Sequence, residues 1–241
     1  MDGATGIFFP AVLFSAFEAR FSTTQHTLDK HPPGLNMAAR FDPSRLRISV
    51  PQLSDVVLKR VPQSDADALW QAFSSGSDRI GHFIDVGFYN REMVDVAIER
   101  WDRYMMDHQS LCVGIYVQGA LAGHIRSHVY SRPDENGRGI CLEYWLAIPV
   151  QKRGIMHQSI PSFLSFAIGK FFYDISYVEI VCHPENIASI AVAERLGFKS
   201  HETNASRKEC LPRLRYRLYV NENDWITNPN APTDNMSMVP V

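Results

Sequence analysis

No stretch of this chain approaches the roughly 20 consecutive apolar residues that a membrane-crossing helix needs, so no membrane partner is expected. An excess of either charge is also lacking: 24 Lys and Arg stand against 26 Asp and Glu, a formal net charge of -2. That balance gives no support for a nucleic-acid partner. Cysteine is scarce. Cys112, Cys141, Cys182 and Cys210 lie far apart without metal-ligand spacing, so reduced, mostly buried thiols and no bound metal are expected. Residues 1–6 carry no positive charge and Pro10 interrupts the apolar run from Ile7 to Phe14. A signal peptide is therefore not expected, and a cytoplasmic protein is. Internal repeats and low-complexity tracts are absent as well.

What is present is enough apolar material for one substantial core, at 45% hydrophobic and 11% aromatic residues in 241. The chain reads as a Pro-rich and polar extension of little order over 1–45, one folded domain over 46–226, and a disordered tail over 227–241. Alternating stretches from Leu46 to Val50 and Val56 to Val61 supply the first strand, and Ser64-Asp65 caps a helix through Phe73. Asn90 caps a longer helix, whose Met93, Val94, Ala97, Ile98, Trp101, Tyr104 and Met105 form an apolar face read as core. Leu111 to Val117 and Leu121 to Tyr130, joined at Gln118-Gly119, read as an antiparallel hairpin. A polar loop from Arg132 to Gly139 follows. Arg213 to Val220 closes the sheet, with Asp224-Trp225 anchoring its end.

The stretch from 140 to 198 organises the rest. Ile140 to Leu146 is a strand-length apolar and aromatic run, and Gln151-Lys152-Arg153-Gly154-Ile155-Met156 leads into a helical pattern over 156–173. A strand, a Gly turn and a helix start form an arrangement that binds phosphates, because the first N–H groups of a helix have no internal partner and lie at its positive end. Gly154 permits close backbone approach, and Lys152 and Arg153 add cationic charge. Tyr177 to Cys182 then reads as a buried strand, Asn186 as the N-cap of a helix to Leu196, and Gly197 as its C-terminal stop.

Glu143 to Leu146, Gln151-x-x-Gly154-Ile155-Met156 and Glu185-Asn186-x-x-Ser189, continuing to Glu194-Arg195-Leu196-Gly197-Phe198, together resemble the GCN5-related N-acetyltransferases. Within that superfamily the subgroup that acetylates ribosomal-protein N-termini is the most similar. The resemblance spans roughly 55–226 and implies an α/β fold: a mixed, mostly antiparallel sheet with one splayed parallel strand pair, flanked by helices. It implies acetyl-coenzyme A as co-substrate, held by Trp145, Leu146, Gln151, Lys152, Arg153, Gly154, Ile155, Met156, Asn186 and Ser189. The last position of the turn departs from the family's usual Gly or Ala, and Met156 there is expected to narrow the pantetheine entrance.

Acetyl transfer to an amine requires removal of a proton from the amine and stabilisation of the departing thiolate. Glu143 is the candidate base, flanked by Tyr144 and Trp145; a salt-bridged structural Glu is the alternative. Ser189 is the candidate acid, since the matching Ser of the resembling enzymes has that proposed role, and Cys182 also matches a Cys there. Plain helix capping accounts for Asn186 and Ser189 equally well. Tyr216 and Tyr219 are alternative donors, and His183 reads as a loop residue. The expected acceptor is a primary amine, a protein N-terminus or else a small amine such as a polyamine or antibiotic, attacking directly in a ternary complex. A coenzyme A-binding regulatory module without turnover, and a binding or assembly protein whose extension and tail recruit a partner, are the remaining alternatives. The expected assembly is a monomer or homodimer.

Overall fold

The computed structural model describes residues 41–76, 80, 88, 90–131, 137–201, 213–223 and 226. The expectations for residues 1–40, Cys210, Asp224-Trp225, the tail and most of the 132–139 loop lie outside these. In chain order the elements are β1 (Arg47–Ser49), β2 (Val56–Lys59), α1 (Ala66–Ser74), α2 (Arg91–Met106), β3 (Ser110–Val117), β4 (Ala120–Ser131) and β5 (Arg138–Leu146). They continue with α3 (Ile155–Phe166), β6 (Ile175–Cys182), α4 (Ile187–Arg195), β7 (Lys199–Ser200) and β8 (Leu214–Tyr219). The strands form one sheet in the order β1-β2-β3-β4-β5-β6-β8-β7. All pairings are antiparallel except β5 with β6, which α3 joins as a crossover.

Local chemistry accounts for the elements. The Asn90 side chain accepts a hydrogen bond from Met93 N at 3.0 Å and starts α2, whose Val94, Ala97, Ile98, Trp101 and Met105 are buried. At α1 the expected cap is different: Asp65 occupies the N-cap but makes no capping bond, because its carboxylate accepts from the Tyr116 hydroxyl at 2.6 Å. The region read as a first strand divides into β1 and β2. The helix expected to reach 173 ends as an α-helix at Phe166 and continues as one π turn, Ala167–Phe171. Ahead of β1, Phe41 packs edge-on against Phe171 and Pro43 is buried.

Strand register assigns the two faces of the sheet. One face carries Arg126 and Tyr130 of β4, Glu143 and Trp145 of β5, Glu179 of β6 and Arg217 of β8. Helices α1 and α2 cover part of it, with Phe73 against Trp145 and Trp101 stacked on His124 at 4.3 Å. The opposite face carries Ile140, Leu142, Tyr144, Val178, Ile180 and Cys182, and Tyr144 there meets Ser189 of α4.

Candidate active site

The parallel pair β5 and β6 is bonded only as far as Leu142 opposite Ile180. Beyond that register Glu143 to Leu146 on one side and Val181 to Cys182 on the other have no ladder between them, so the sheet opens at the carboxyl ends of its two parallel strands. The helices that follow those strands, α3 and α4, start at the same open end.

At the start of α3 the chain turns through Gln151 to Gly154, all four exposed, with Lys152 at φ 61° and Gly154 at φ 73°. No side chain caps the helix, and the first bond back to the turn is Gln158 N to Gly154 O at 3.1 Å. Among the described residues the Gln151 amide donates to the Ile148 carbonyl at 3.2 Å, while the amides of 152–157 have no backbone partner and remain available to an anion. A Cβ built on Gly154 would meet nothing within 4 Å, so the space in front of that backbone is open. These residues fit the diphosphate of coenzyme A: donors without partners, an open approach, and the exposed cations Lys152 and Arg153 beside it. The Met156 side chain is buried and belongs to the core cluster. Gln151 ties the turn to β5 by donating from Nε2 to the Leu146 carbonyl at 2.8 Å. Trp145 is buried against Phe73, which leaves its backbone, not its ring, to the open edge.

At the start of α4, the Asn186 side chain accepts from Ser189 N at 3.1 Å, so the capping role is realised. Ser189 is buried, and its hydroxyl lies 2.8 Å from the Tyr144 hydroxyl across the opened strand pair and also bonds to the Cys182 thiol. Burial raises the Tyr144 and Cys182 pKa values, so both are protonated at neutral pH. Two protonated groups thus flank Ser189 and can feed a proton through it. Cys112 and Cys141 are likewise raised by burial, the former to about 12, which disfavours a thiolate nucleophile.

On the other face, Glu143 accepts from the Arg126 Nε at 2.9 Å and forms a second contact with its Nη2. Register therefore points Glu143 away from Ser189, toward the side that α1 and α2 partly cover. Tyr219 is partly exposed at the end of β8, and Tyr216 is buried in the core. His183 accepts from Glu185 N at 3.2 Å within its loop.

A family model described as an acetyltransferase (GNAT) domain matches residues 55–199, more than half of the chain. The chain belongs to the GNAT acetyltransferase family. Solved structures agree on the fold. RimL, a ribosomal L7/L12 α-N-protein acetyltransferase in complex with coenzyme A disulfide-bonded to a cysteine, superposes with a TM-score of 0.63 at 20% identity, covering 74% of this chain and 100% of that one. The Salmonella typhimurium acetyltransferase that modifies the N-terminal serine of L7/L12 gives 0.62 at 20% identity, covering 73% and 99%. The microcin C7 self-immunity acetyltransferase MccE, solved with acetyl-CoA and AMP, gives 0.61 at 18% identity, covering 75% and 99%. No curated protein sequence matches the chain.

In this GNAT domain the structure separates the sequence candidates into two groups. Gln151 to Met156, Asn186 and Ser189 gather at the open end of the parallel pair, and Glu143 lies on the reverse face with Arg126. Sequence reading missed Tyr144 as the partner of Ser189 and Arg126 as the partner of Glu143. The alternation Glu143-Tyr144-Trp145 held the signal, since neighbouring strand residues must point to opposite faces.

Proposed function

We propose that this protein transfers an acetyl group from acetyl-coenzyme A to a primary amine, with a protein or peptide N-terminus as the favoured acceptor class. The carrying observation is the coincidence of two features: the strand pair opens beyond Leu142 and Ile180, and an uncapped helix N-terminus with an open Gly154 lies at the same end. Acetyl-coenzyme A, when bound, supplies the thioester whose acyl carbon is attacked. Lys152 to Met156 offer the diphosphate their backbone amides, and the unpaired strand edges offer backbone groups to the pantetheine amides. Glu143, held by Arg126, takes the proton from the amine directly or through water; Ser189, backed by Tyr144, delivers one to the departing sulfur.

The N-terminal acceptor is supported by the names of the fold neighbours, which act on ribosomal protein L7/L12. The test is thiol release from acetyl-coenzyme A on a panel of peptides with free N-termini, the same peptides blocked, polyamines and aminoglycosides. Release on free but not blocked peptides is expected. Release confined to a small-amine class would replace the acceptor, and no release on any amine would overturn transfer itself.

A further inference from the structure

The last strand carries a basic stripe that the phosphate cradle does not use. Arg215 and Arg217 alternate along it and share one face, the face of Glu143, and Arg213 directly precedes the strand. Register fixes their height. Cys141 stands opposite Glu179 and Glu179 opposite Arg217; one step further along, Val181 stands opposite Arg215, level with Glu143 on the far side of the opening. Arg215 therefore borders the mouth of the gap on the face opposite α3 and α4.

Glu179 is fully buried: Oε1 accepts from Arg217 Nε at 2.9 Å and Nη2 at 2.5 Å, while Oε2 accepts from Arg215 Nη1 at 2.6 Å and from the Tyr130 hydroxyl. Burial alone would raise this carboxyl, yet Tyr130 and the two guanidinium groups hold it below its usual range, so it stays ionised. One carboxylate thus serves two guanidinium groups. Glu143 is already matched by Arg126. His124 and His128, on the same face of β4, are pushed down by burial to about 3 and about 4 and are neutral at pH 7. Among the described residues Arg215 uses one donor on Glu179 and the rest of its fork has no partner, while its side chain remains 13% exposed. Arg213 and Lys199, both exposed, add to the same sign.

We propose that the acceptor is an amine that also carries a carboxylate, with Arg215 as the residue that takes that carboxylate. A planar fork with spare donors matches a carboxylate in two-point geometry, and its fixed bond to Glu179 holds the fork in place. An acidic side chain near a peptide N-terminus and the α-carboxylate of a free amino acid both supply this chemistry. The proposal rests on amine acetylation as the reaction.

Thiol release by the wild-type protein is compared on peptides led by Asp or Glu, on the same peptides with Asn or Gln there, and on free amino acids against their amides. Higher kcat/KM for one acidic member of these pairs, carried by KM, is expected, and the arm in which it occurs identifies the source of the carboxylate. In Arg215→Gln that preference should fall by about tenfold or more while activity on the neutral acceptors and acetyl-coenzyme A affinity hold, and Arg215→Lys should retain part of it. Equal rates on acidic and neutral members by the wild-type protein would overturn the subsite even if the variants fail to fold. An equal loss on both members in a folded Arg215→Gln would do the same. Turnover without acidic preference leaves the transferase reading standing; no thiol release with any amine removes that reading and the subsite together.

Discussion

In the proposed mechanism Ser189 holds two roles. Its backbone N–H is tied to Asn186, which fixes the first turn of α4, and this leaves the hydroxyl aimed at Tyr144 across the opened strands. Removing the hydroxyl leaves the cap intact, so Ser189→Ala should keep its fold and its acetyl-coenzyme A affinity while kcat falls by about tenfold or more. Tyr144→Phe removes the donor behind Ser189 and should lower kcat less while leaving KM for the acceptor unchanged. Steady-state kinetics on both variants decide this, and two unchanged kcat values would remove the pair from proton delivery. The pairing was half legible. The spacing from Asn186 to Ser189 marks a helix start, whereas Tyr144 meets Ser189 only because β5 and β6 are parallel neighbours, a relation that no local pattern encodes.

At the level of elements, the parallel pair opens beyond Leu142 and Ile180, and the proposed chemistry is placed at that opening. Its closed part is packed tightly: a Cβ on Gly139 would stand 2.2 Å from the Tyr177 ring, which itself stacks under the Arg217 guanidinium at 4.0 Å. Gly139→Ala should therefore displace Tyr177 and cost about 1–3 kcal/mol in chemical denaturation, and a neutral result would mean that the ring moves freely. Strong periodicity made α2, β3, β4 and the crossover helix readable from sequence, with ends shifted by a few residues. Two features were not readable. The π turn after Phe166 and the loss of pairing beyond Leu142 are not marked by any local pattern that separates them from a continuing helix or strand; Gly169 alone does not specify a π turn. Asp65 was misassigned as a side-chain cap for a related reason: a distant Tyr116 hydroxyl competes for its carboxylate.

Across the whole molecule, the sheet separates two chemistries. In the proposed reading the α3 and α4 face receives the phosphates of acetyl-coenzyme A and supplies the proton, and the reverse face carries a polar tract that includes His124, Glu179 and Arg217. That tract makes stability depend on pH. His124 and His128 have folded pKa values near 3 and 4 against an ordinary 6.5, so between these limits the unfolded chain binds more protons. Stability should be full above about pH 6.5 and decline as pH falls, by up to about 1.4 kcal/mol per pH unit for each histidine. Glu179, whose pKa is lowered from 4.5, adds loss in the same direction at more acid pH. Denaturation midpoints from pH 8 to 4 should show this slope, and His124→Phe should flatten it; a flat wild-type profile would contradict the burial of the imidazoles.

In the proposed reading the turn from Gln151 to Met156 is the seat of a coenzyme A diphosphate. Isothermal titration with acetyl-coenzyme A, on the wild-type protein and on Gly154→Val, tests it most directly. A valine at φ 73° strains the turn and places its side chain in the space in front of the amides, which is otherwise open. Saturable binding by the wild-type protein and a loss of about tenfold or more in a variant that still unfolds cooperatively is the predicted result. Equal affinity in the two proteins, or no binding by the wild type, would contradict it.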